Sequence, residues 1–534
     1  MDRSTKIIVT NRAALARKHG AAGMKQIDAA LARLARADAK RGIATRCVAI
    51  DRAADMEPFG GRVANRKDAR QAKRAVDEIC RVLKPDYLML LGAPDVVPHV
   101  GLKNPMAASR DSDRRIDSDL PYACDARYST TIKDFLGPTR VVGRLPDVAG
   151  EGRTEHLVRL LDTARTWRSR PRSDYGDYFS LSTASWRRST RTTTRKLFGS
   201  DGWVRLSPSE GPYWTAGDLQ GRIHLINCHG DTADPEFYGE DEYDPDDQPS
   251  AHMAVHLAGR VQAATVVAAE CCYGAELYQP TAGRSVGICQ TYLAEGAWAF
   301  FGSTTVAYGP AEGNNFADLI CGSFLRGVLE GASVGRAALE ARQQYIRLGG
   351  YMEMVDLKTI AQFLLLGDPS VQPVRTAVVA AGVRAKSAGR AAGKTARVAV
   401  ARRARRKRLA RSGCRIGVTT AFVASRPDAK ASRPVRHKLR KLAAARGASV
   451  QTIESFKLHA PAERNPAREG RQLVARHAVF HVIVLKEKQR RSAPARRLAA
   501  RRTASGARRP HTQRLLVVRE VGGVIKRVVE AVRH

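Results

Sequence analysis

No C-x-x-C pair occurs among the nine cysteines, and their number is odd. A structural zinc site and a disulfide framework both have little support, and a reducing cytoplasm suits the scattered thiols. No cofactor motif stands out, and neither a cofactor nor a metal is expected. Nowhere do about 18 apolar residues run uninterrupted, so no membrane-spanning helix is expected. The opening "MDRSTKIIVTNRAALARKHG" has no apolar core ahead of a small-residue cleavage site, so no secretion signal is expected either. Aromatic residues are only 6% of the chain. Basic stretches without interleaved aromatics argue against a sequence-reading nucleic-acid module.

What is present is a chain of 534 residues, 43% hydrophobic, with a net charge of +38. That length predicts more than one core. The charge is unevenly placed. From Arg375 to His534 there are 42 Lys and Arg against 7 Asp and Glu, whereas the preceding 374 residues carry 48 against 45. A nearly neutral body is thus followed by a strongly basic final third, with a boundary near residue 375. The Ala-, Gly- and Arg-rich stretch 375–412 reads as an extended linker, having few large apolar residues to bury. Residues 413–534 read as a small basic α+β or β-rich module. It includes a helix near 435–447, a strand at 478–486 and a hairpin about Gly522-Gly523.

In the body, short apolar runs alternate with amphipathic stretches. "KIIVT" (6–10), "TRCVAI" (45–50), "DYLMLLG" (86–92) and "TRVVGRLP" (139–146) read as strands, with helices at 24–41, 65–84 and 153–167. The pattern restarts with "DYFSLST" (177–183). It continues through "RIHLINC" (222–228), "ATVVAAE" (264–270), "GAWAFFGS" (296–303) and "QFLLLG" (362–367), with helices at 187–199, 285–294 and 315–331. This alternation predicts α/β architecture, with mainly parallel sheets flanked by helices, in two side-by-side units at 1–150 and 175–374. Function in such sheets gathers beyond the C-terminal strand ends.

Two strand ends there carry reactive groups. "INCHGDTADPEFYG" ends a strand in His229-Gly230, and "ATVVAAECCYGAELY" ends another in Cys271-Cys272. Neighbouring parallel strands lie ~5 Å apart, a gap that one His and one Cys side chain can close. An imidazole at hydrogen-bond reach raises the thiolate fraction of a cysteine and then protonates the leaving amine. Gly230 leaves room for a substrate carbonyl, and its N–H with that of Cys272 would form an oxyanion hole. Against this stands the ordinary role of cysteine as an inert buried residue.

These segments resemble gingipains, peptidase family C25 of the caspase-like clan CD. "INCHGDTADP" is similar to the family's histidine segment and "AAECCYGAELY" to its cysteine segment. "GAWAFFGSTT" and "FLLLGDPSVQPV" resemble the strands that follow, and "DYLMLLGAPDVVP", "DSDLPYAC" and "TRVVGRLPD" the non-catalytic first subdomain. The resemblance implies a caspase-like pair of subdomains and a cysteine endopeptidase acting on protein or peptide. Cys272 would be the nucleophile by ungapped match, with Cys271 the alternative under a C-x-x-G reading. It also implies an acid that orients His229. Asp177 is the nearest candidate, with Glu270 and Asp231 as alternatives. Asp231, Glu270 and Trp298 are candidates for the substrate pocket, and Asp234 and Glu236 would add acidity. The region matching the arginine-binding aspartate of some relatives, "STASWRR", has no acid, which speaks against that specificity. A competing expectation is a catalytically degenerate fold that binds nucleic acid or another polyanion through the basic final third.

Overall fold

The computed structural model describes residues 4–107, 111–242, 244, 247–281, 285–310, 314–349, 352–375, 422–423, 429–459, 478–487, 514–521 and 524–533. In the first half, β1 (Ser4–Thr10), β2 (Ile43–Ala49) and β3 (Tyr87–Leu91) precede a short antiparallel pair, β4 (Val100–Lys103) and β5 (Arg115–Ser118). β6 (Val142–Leu145) follows. The second half opens with β7 (Tyr178–Ser182), β8 (Val204–Leu206) and β9 (Ile223–Asn227). A small antiparallel flap of β10 (His229–Gly230), β11 (Glu236–Tyr238) and β12 (Ser250–Met253) comes next. Then come β13 (Val266–Ala269), β14 (Ala299–Ser303), β15 (Tyr308–Pro310) and β16 (Phe363–Leu366). The C-terminal region adds β17 (Phe422–Val423), β18 (Ala448–His459), β19 (Ala478–Glu487), β20 (Arg514–Val521) and β21 (Val524–Arg533).

One ten-stranded sheet carries both halves, in the order β2-β1-β3-β6-β16-β14-β13-β9-β7-β8. Every pairing is parallel except β14 with β16. Helices flank this large, mainly parallel sheet, an architecture consistent with a caspase-like fold. The central strands are buried on both faces, so they read as continuous apolar runs rather than alternating ones. The first helix is longer than its periodicity suggests. It runs Arg12–Lys40, capped by the Asn11 side chain on the Ala14 N–H, and passes through a non-helical Gly20 at φ 65°. The helix Ala69–Leu83 starts where the Asp68 carboxylate accepts the N–H groups of Arg70 and Gln71.

Buried ion pairs tie distant motifs together. The Arg144 guanidinium grips Asp119 at 2.6 and 2.8 Å and donates to the carbonyls of Gly92 and Val97, so the three first-half motifs meet at one side chain. Burial pushes the Asp119 carboxyl up, but Arg144 and His99 outweigh it and hold the group well below the usual carboxylate range. Lys6, on the first strand, pairs with Asp38 at 2.6 Å and with Asp368 of the closing Leu-Gly-Asp turn at 2.5 Å.

The C-terminal region folds as an antiparallel meander, β17-β18-β19-β20-β21, extended to six strands by β15 of the second half. The helix Arg433–Ala444 packs on one face through Val435, Leu439 and Ala443 against Ile483, Leu485, Leu516 and Val518. β18 is absent from the sequence reading. The expected linker lies outside the described residues from position 376 on, as do Gly522 and Gly523, although the strands on either side of that glycine pair run in antiparallel register. Among the described residues, no helix is long and apolar enough to cross a membrane.

Candidate active site

β9 and β13 are adjacent and parallel, with Ile226 beside Ala269. Their ends therefore deliver Asn227-Cys228-His229 and Glu270-Cys271-Cys272 to the same edge of the sheet. The two turns touch. A Cβ placed on Gly230 would lie 2.1 Å from the Cys272 carbonyl oxygen and 3.5 Å from the Cys271 Cβ. The glycine is thus required by the packing of the histidine turn on the cysteine turn, where the sequence reading assigned it to substrate access. Gly230→Ala is expected to force these backbones apart, lowering turnover by about tenfold or more and stability by ~1–3 kcal/mol. Steady-state kinetics beside chemical denaturation check both.

His229 is 5% exposed. Its Nε2 lies 2.9 Å from a carboxylate oxygen of Glu240, and the Trp186 ring lies 4.7 Å away, tilted at 59°. The other Glu240 oxygen accepts from Ser185 Oγ at 2.6 Å, which fixes the carboxylate in turn. With Nε2 engaged, Nδ1 is the ring atom left for chemistry. Glu240 is absent from the sequence reading, but a signal for it exists. His229 pairs directly with Tyr238 across the flap, so the residue two further on returns diagonally to the same face.

The acid expected from the sequence, Asp177, does not reach this site. It precedes β7, whose register sets Tyr178 beside Ile223 and Ser182 beside Asn227. Asp177 is therefore at the opposite edge, about 20 Å from His229 at ~3.3 Å per strand residue. It lines a cleft there with Trp203, Arg205 and Asp218.

The two cysteines face opposite ways, as strand-like alternation requires. Cys271 is fully buried in the main core, its sulfur 3.8 Å from the Ile226 carbonyl, and burial pushes its thiol well above the ordinary range. Cys272 is 1% exposed and faces a separate apolar cluster. The Ala307 N–H points to its sulfur at 3.3 Å.

The pocket candidates separate. Glu270, 1% exposed, is buried next to Asp318 of the helix Phe316–Leu329. Burial first, and the neighbouring carboxyl second, raise it well above the usual range, so it cannot line an open pocket. Trp298 lies just before β14, at the opposite end from the two reactive turns, where it lines a small cavity with Leu145, Leu160 and Leu293. Asp234 and Glu236 accept hydrogen bonds from Tyr238 and Ser250, at 2.7 and 2.6 Å. Asp231, directly after Gly230, is partly exposed and stays at this edge of the sheet.

Two further acids link the turns. Glu276 accepts from the Ala233 N–H at 2.7 Å and from Thr232 Oγ at 3.1 Å, and burial pushes its carboxyl up to about 7. Asp113, from the first half, accepts from the Tyr273 hydroxyl and the Val306 N–H at 2.8 Å each and pairs with Lys358 at 2.9 Å. The residue after Cys272 is thereby keyed to the opposite half of the sheet.

Residues 252–374 match a family model described as peptidase family C25. The matched stretch runs from β12 to just past the Leu-Gly-Asp turn. It contains Cys271 and Cys272, while His229 lies ahead of it. No curated protein matches the chain.

Proposed function

Starting from the C25 match, which supports a gingipain-type cysteine peptidase, we propose that the chain is an endopeptidase with Cys272 as nucleophile and His229 as general base and acid. The observation that carries this reading is the contact between the two strand-end turns, with an imidazole already held by a buried carboxylate. In the proposed cycle, His229 Nδ1 takes the thiol proton as Cys272 attacks the scissile carbonyl. It then returns that proton to the leaving amine, and water hydrolyses the thioester. The backbone N–H groups of Gly230 and Cys272 are the proposed donors to the tetrahedral oxyanion. Glu240 acts through the imidazole: its carboxylate selects the tautomer with hydrogen on Nε2 and stabilises the imidazolium.

Glu240→Gln tests this assignment. It keeps the shape but removes the charge, so kcat/KM is expected to fall by about tenfold or more. Glu240→Asp, which keeps the counter-charge to the imidazolium, is expected to lose less. An equal fall in Glu240→Gln and Glu240→Asp would reduce Glu240 to a packing role.

A specific feature favours contact with polyanions as well. On the helix Arg433–Ala444, Arg433, Arg436, Lys438, Arg440 and Lys441 are exposed, and the helix contains no acid. Such a face suits phosphate neutralisation with strong salt dependence.

A further inference from the structure

The C-terminal sheet does not stand apart from the body. Its strands alternate cleanly, and both faces are covered. The face opposite its own helix presents Phe456, Phe480, Val482, Val484, Leu515 and Val517. These side chains form one buried cluster with Val306, Tyr308, Phe316 and Val355 of the second half, and with Cys272 itself. The docking is also a backbone event. β21 pairs antiparallel with β15, matching Tyr308 with Arg533, Gly309 with Val532 and Pro310 with Ala531. β15 begins one residue after Ala307, whose N–H points to the Cys272 sulfur. The strand that receives the C-terminal sheet is therefore continuous with the segment that cradles the cysteine.

We propose that the apolar surface around Cys272, together with the edge of β15, is a docking site for the chain's own C-terminal sheet. In this arrangement the sheet acts as an intramolecular lid that holds the site closed. An extended peptide needs both an accessible thiol and a free strand edge. With the lid docked, Cys272 is 1% exposed and the β15 edge is occupied by β21. Turnover then requires the sheet to lift, and the closed population sets the basal rate. The consequence for turnover rests on Cys272 being the nucleophile. The covering of Cys272 does not.

The test uses the full chain and reads the two points separately. Iodoacetamide alkylation is followed by peptide mapping at Cys272, with Cys228 and Cys321, buried in the main core, as monitors of global opening. In Phe480→Asp, a charge placed on the docked face weakens the lid. Cys272 alkylation is expected to rise by about tenfold or more over the unaltered chain while Cys228 and Cys321 stay protected. Peptide hydrolysis is expected to rise with it. Equal Cys272 alkylation in both proteins overturns the lid. Faster alkylation without hydrolysis upholds the lid and defeats the nucleophile assignment. If all three thiols open in Phe480→Asp, the milder Phe480→Ala decides. A rise confined to Cys272 supports the lid, and a uniform rise means that only global unfolding uncovers the site.

Discussion

Cys272→Ala is expected to lower peptide hydrolysis by on the order of 10³ or more, while the protein keeps its fold. The chemical reason is that the neighbouring thiol, Cys271, is turned into the main core and is not placed to form an acyl intermediate in its stead. The structural reason for the retained fold is that the change removes one sulfur from a cluster otherwise built of large apolar side chains. Its cost should be about 1–2 kcal/mol, from a small cavity and the lost contact with the Ala307 N–H. Cys271→Ala should cost a similar amount of stability, since that thiol is also fully buried, but leave hydrolysis largely intact. The pair of variants compared by denaturation and by turnover separates packing from chemistry. Retained activity in Cys272→Ala with loss in Cys271→Ala would reverse the assignment.

His229→Ala is expected to lower turnover by a factor on the order of 10² or more. It also strips Glu240 of its imidazole partner and leaves Ser185 to hold the carboxylate. That carboxylate is 4% exposed, so the variant should lose ~1–3 kcal/mol of stability near neutral pH as well. Combining it with Glu240→Gln distinguishes the two effects. The double variant should recover part of the stability, because a neutral amide tolerates burial better than an unpaired charge, but none of the activity. Recovery of turnover in the double variant would show that the imidazole is not the acid–base group.

The sheet and its reactive edge were legible because apolar runs of four to six residues, separated by amphipathic stretches, leave little freedom in an α/β fold. "RIHLINC" and "ATVVAAE" became neighbouring strands, β9 and β13, and this adjacency alone brings His229 to the cysteine turn. The acid was misplaced for a reason of direction. Asp177 is near in sequence to a strand of the same sheet, but it sits at that strand's start, and a parallel strand separates its ends by its full length. Glu240 was reachable only through the hairpin register of the flap, which becomes clear once His229 is seen opposite Tyr238. Glu270 is buried beside Asp318 and Trp298 lies at the far end of its strand, because sequence proximity to the site does not fix which way a strand residue points or which end it occupies. The docked C-terminal sheet was concealed by composition. High charge suggested a separate basic module beyond a linker, whereas the exposed basic face of the helix Arg433–Ala444 coexists with an apolar face of the sheet beneath it turned toward Cys272.

The central claim is that Cys272 is the nucleophile. It is tested most directly by trapping the chain with a peptidyl acyloxymethyl ketone and locating the adduct by mass spectrometry, with His229→Ala in parallel. A single thioether on Cys272, formed much more slowly in His229→Ala, is the predicted result. An adduct on Cys271 or another thiol, or one on Cys272 that forms equally fast without His229, would contradict it.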